Sequence, residues 1–120
     1  MSFRDELVKK VYSTRELIRQ TAVNNFVGIL KSSMIKCAEE GRISGSINLD
    51  IETEWDEDDC KKDVYLQLEK LFEIQGVLVH DKKRYVYIWL IEEVKETDIF
   101  AEIEIKLDND DNILEFRWFL

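Results

Sequence analysis

The stretch "DIETEWDEDDC", residues 50–60, sets seven carboxylates around Trp55. Acids at this density could hold a divalent cation, mimic a nucleic-acid backbone, or start a helix. A calcium loop requires glycine at its sixth position and glutamate at its twelfth. Counted from Asp56, those positions are Lys61 and Gln67. A second acidic stretch, "DNDDNILEFRWF", offers Asp108, Asp110 and Asn112 at positions one, three and five, but Ile113 and Phe119 at six and twelve. A polar hairpin turn explains it better, with room left only for a weak cation site. Asp56 is a good N-cap, and Glu57 to Asp59 then meet the positive end of a helix dipole, worth typically ~0.3–1 kcal/mol each. Asp50, Glu52 and Glu54 fit the solvent face of a preceding strand. No metal site is expected.

Other catalytic groups are sparse. The single histidine, His80, sits in "HDKKR" beside Asp81, so every Ser–His or Cys–His scheme depends on that one residue. No serine stands in a GxSxG setting, and "GRISG" is not followed by the GK[ST] of a phosphate loop. Cys37 and Cys60 occupy apolar helix positions and read as two reduced, buried thiols. One histidine and two scattered cysteines make a poor zinc site. No enzyme activity and no cofactor are expected.

The elements that must carry these residues follow from periodicity. Ser2 before Asp5 resembles a capped helix start, and Phe3, Leu7 and Val11 recur every four residues. A second start signal, Ser13 to Glu16, fits a capping box, so a break or kink is expected near residues 12–13. Helical spacing continues through Ile18, Ala22, Phe26, Leu30 and Cys37 to a stop at Gly41. Ile47, Leu49 and Ile51 alternate with polar residues as a half-buried strand. Val64, Leu68, Leu71 and Phe72 mark a helix over residues 57–75, ended by Gly76. The remainder reads as β. "GVLVHDKKRYVYIWLI" is expected to be a short strand, a charged turn and a longer strand. "IFAEIEIKL" and "ILEFRWFL" form a hairpin around "DNDDN". Its register pairs Leu107 with Leu114, Ile105 with Phe116, Ile103 with Trp118 and Ala101 with Leu120. Lys106 then meets Glu115 and Glu104 meets Arg117, and a one-residue slip would mix charges into the apolar face.

The chain has 120 residues, the size of one domain, with 45% hydrophobic residues and no proline. No apolar run nears the ~20 residues of a membrane helix, and the charged first residues do not resemble a signal peptide, so a cytoplasmic protein without membrane contact is expected. The net charge of −9 is unevenly spread. Residues 1–45 hold eight Lys/Arg and five Asp/Glu, or +3; residues 46–120 hold nine and twenty-one, or −12. Such a body repels phosphate backbones, so no nucleic acid is expected, and it suits a protein partner with a basic surface.

The strand expected at 85–91 has two apolar faces, one of Tyr85, Tyr87 and Trp89 and the other of Val86, Ile88 and Leu90. One can face the helices. The other is either exposed as an interface or covered by Phe3–Val11. Phe100 and Phe119 are placed on the outer face of the last hairpin among Glu102 and Glu104. Aromatics rimmed by charge suit a protein interface, and these seven residues are the expected partner-binding set.

The order of a long helix, "KCAEEGRISGSINLDI", a helix ending "LEKLFEIQG" and then strands resembles small phage and prophage proteins of Gram-positive type, over roughly residues 30–90. The resemblance implies an accessory factor that binds and blocks a host or defence protein, and it transfers no functional residue. The whole reading is a single α+β domain over residues 1–120. Its N-terminal helical segment and second helix pack on one face of a mainly antiparallel four- to five-stranded sheet. The expected function is a non-enzymatic acidic protein-binding factor, such as a phage-encoded inhibitor occluding a basic surface. The alternatives are an immunity-type protein neutralising a basic toxin, or an assembly protein forming a homodimer or larger homo-oligomer.

Overall fold

The computed structural model describes residues 2–49, 60–76, 82–108 and 113–120. In chain order these form helix α1 (Phe3–Glu39), strand β1 (Ser44–Asn48), helices α2 (Cys60–Ile74) and α3 (Lys82–Lys95), a 3-10 turn (Asp98–Phe100), and strands β2 (Ile103–Leu107) and β3 (Ile113–Trp118). The α+β class stands, but the sheet of four to five strands does not. The strands make a three-stranded antiparallel sheet in the order β1-β3-β2. The strand expected at residues 85–91 is instead part of α3.

That correction has a physical reason. Residues 85–91 are apolar on both faces of a hypothetical strand, so alternation distinguishes nothing there. Helical spacing does. Val86, Tyr87, Leu90, Ile91 and Val94 are buried together on one stripe, while Tyr85 and Ile88 are exposed. The short strand expected after Gly76, the His80 turn, the cap at Asp56, Ile51 and the acids of residues 50–59 lie outside the described residues.

α1 is one continuous helix of 37 residues. Ser2, in extended conformation, caps it by accepting a hydrogen bond from the Asp5 N–H at 3.2 Å. The break expected near Ser13 does not occur. Ser13 Oγ donates to the Lys10 carbonyl at 3.1 Å, within the same helix. The Glu16 that a capping box would use accepts instead from Gln20 Nε2 at 3.2 Å and pairs with Arg19 at 3.7 Å. Neither glycine nor proline interrupts residues 3–27. The stop at Gly41 is as expected. Gly41 takes φ +79°, its N–H donates to the Ala38 carbonyl, and the Arg42 N–H donates to that of Cys37, both at 2.9 Å. This is a Schellman closure, which needs the left-handed conformation that glycine adopts at little cost. Gly76 ends α2 in the same conformation at φ +76°.

The hairpin register matches the expectation from Ile103–Trp118 to Leu107–Leu114. The ladder stops there: Ala101 and Leu120 lie outside it and are exposed. β1 adds to the other side of β3, setting Ile47 against Leu114 and Gly45 against Phe116. The inner sheet face (Ile47, Ile105, Leu114, Phe116) joins Ala22, Phe26, Leu30 and Met34 of α1, spaced four apart, and the buried stripes of α2 and α3 in one core. The outer face presents rows of Ser44–Arg117–Glu104 and Ser46–Glu115–Lys106. Among the described residues, no helix is long and apolar enough to cross a membrane.

Candidate protein-binding surfaces

Two consecutive steps along a helix turn the chain by ~200°. Tyr85 and Tyr87, which a strand would have put side by side, therefore point to opposite sides of α3. Tyr87 is 1% exposed and packs its ring on Tyr65 at 5.8 Å in the core. Tyr85 and Trp89, one turn apart, share the other side. Tyr85 is 37% exposed and Trp89 half-buried.

The rest of the expected set is dispersed. Phe100 ends the 3-10 turn and is buried in the core, not on the outer sheet face. Glu102 occupies the turn before β2 at φ +64°, an unusual backbone for a residue with a side chain. Glu104 is on the outer face opposite Arg117. Phe119 follows β3, exposed, with the Arg117 guanidinium 4.8 Å from its ring centre. The seven residues do not form one surface. The outer sheet face carries charges of both signs. Lys106 and Arg117 offset Glu104 and Glu115, with Lys106 Nζ 3.7 Å from Glu115 Oε2.

Tyr85 and Trp89 instead line a groove of about 580 Å³ between α1, α3 and the end of α2. Phe72 of α2 meets both rings edge to face, at 5.3 Å from Tyr85 and 5.7 Å from Trp89. Val23 and Val27 of α1 and Ile99 complete its apolar lining, while Glu16, Arg19 and Glu93 are among its polar groups. A strand over residues 85–91 gives no reason to place Phe72 or the α1 residues beside Tyr85 and Trp89. The signal was the four-residue spacing of Tyr85 and Trp89, which only a helix turns into a shared face.

The second surface is the start of α1. Every residue from 2 to 14 is exposed. Phe3, Leu7 and Val11, four apart and so on one side of the helix, are 73%, 50% and 46% exposed. Val8, Tyr12 and Leu17 are exposed beside them. Ile18 and Ala22 continue the stripe into the core. Phe3–Val11 therefore does not cover the aromatic residues of α3; it projects as an arm.

As for chemistry, no group of three His, Cys, Asp or Glu side chains gathers as a metal site among the described residues. Cys37 is a free thiol, half-buried against β1. No protein-family model, curated protein or solved structure matches the chain.

Proposed function

We propose that this chain is a non-enzymatic protein-binding factor whose contact element is the arm of α1. The observation that carries the reading is the Phe3–Leu7–Val11 stripe, exposed at the start of α1 where every residue from 2 to 14 is exposed. Isolated surface leucines are ordinary, but a periodic stripe rimmed by charge is how an amphipathic helix enters a partner's groove. The likeness to phage accessory proteins supports a blocking role, although its strands after Gly76 correspond here in part to α3. The expected electrostatic mode shifts accordingly. Beside the stripe the arm holds Arg4 and Lys10, and Arg15 follows it, so it suits an apolar surface with an acidic rim better than a basic one. A homo-oligomeric assembly protein is the second reading, favoured because the same chain also carries an aromatic groove.

The test is cross-linked affinity capture from native cells with the wild-type chain and with Leu7→Asp/Val11→Asp, both sites being exposed and spared from the core. A protein recovered with the wild type and lost with the variant is expected. Identical recovery with both, together with self-association that the variant leaves unchanged, would contradict the reading.

A further inference from the structure

We propose that the arm of α1 docks in the Phe72–Tyr85–Trp89 groove of a second copy of this chain, and that copy's arm in the groove of the first. The inference rests on the reading that the arm is a protein-binding element, and it names the partner.

The two surfaces are complementary in shape and charge. The arm offers a convex apolar stripe, Phe3, Leu7 and Val11, and the groove a concave aromatic one. Arg4 and Lys10 lie three residues either side of Leu7, and Arg15 lies four beyond Val11, all neighbours of the stripe on the helix surface. The groove lies beside the last turn of α3, where "EEVKETD", residues 92–98, holds four acids and one lysine. Carboxylates at a helix C-terminus add to the negative end of its dipole, so a basic-flanked helix is favoured there. Arg19, the one cation among the groove's described lining residues, is already paired with Glu16.

One molecule cannot make this contact with itself. The arm and Glu16–Val27, which form one wall of the groove, belong to the same uninterrupted helix. That helix carries the arm away from its own groove. Pairing arm with arm is disfavoured, because the arginine and lysine flanks would face their like. A two-fold exchange satisfies both contacts at once. A stable dimer buries ~1,200–2,000 Å² in total, so each of the two arm–groove contacts must bury ~600–1,000 Å² counted over both its sides. Phe3, the aromatic member of the stripe, is 73% exposed, and aromatics bury ~150–250 Å² each.

The test is sedimentation equilibrium on the full chain, on the arm variant Leu7→Asp/Val11→Asp, and on a groove variant, Tyr85→Asp/Ile99→Asp, whose positions are exposed. Wild type is expected to dimerise, and each variant alone to dimerise at least ~30-fold more weakly, as loss of central contacts does. An equal mixture of the two variants should regain part of that loss, since one intact groove then meets one intact arm. Wild type that stays monomeric overturns the exchange, and so does a dimer that survives the groove variant or a mixture without rescue. The function reading fails separately, if foreign-partner capture and self-association are both indifferent to the arm variant.

Discussion

Gly45 sits where α1 comes down on the sheet. A Cβ there would lie 2.6 Å from Cys37 Sγ and 2.8 Å from the Phe116 ring. Both neighbours belong to the packed face, so neither can swing away freely. Gly45→Ala is expected to destabilise by ~1–3 kcal/mol in denaturant unfolding, the usual cost of overpacking, and Cys37→Ala in the same chain should return part of it. An unchanged midpoint for Gly45→Ala would show that α1 and β1 are not this close. Position 45 gave no such signal in the sequence, where "GRISGSIN" reads only as a helix stop feeding a strand. Close approach between one element and the next leaves no periodic trace. The backbone need at Gly41, by contrast, is local, and was readable.

At the scale of elements, what was legible was what local chemistry decides. Ser2 and Gly41 bound α1 as capping rules require, and the β2–β3 register follows from apolar and charged pairs that only one alignment satisfies. What failed was a choice between periods. In "RYVYIWLI" nearly every residue is apolar and several are aromatic or β-branched, which favours strand by propensity. Tertiary burial of Val86, Leu90 and Val94 overrides that preference. The candidate site inherited the error. Alternation groups Tyr85 and Trp89 with Tyr87, which the helix sends into the core. α3 makes a sharp prediction. Leu90→Ala should cost ~2–5 kcal/mol as a core truncation, whereas Ile88→Ala, exposed, should cost under ~1 kcal/mol. On a strand, residues 88 and 90 would share a face and the two costs would be alike.

The whole molecule measures 59 × 30 × 27 Å, elongated along a helix whose residues 2–14 are exposed. Charge is divided along the chain, +3 over residues 1–45 and −12 over residues 46–120. An isolated helical end with no tertiary packing opens readily, since propensity alone seldom sustains helix in water. Its amide protons should therefore exchange fast unless a partner covers it. Hydrogen exchange of the full chain, followed residue by residue while protein concentration is raised, reads this directly. If the arm docks on a second copy, protection over residues 3–14 rises with concentration while the core of α2 and α3 stays constant. Fast exchange of residues 3–14 at every concentration would contradict it.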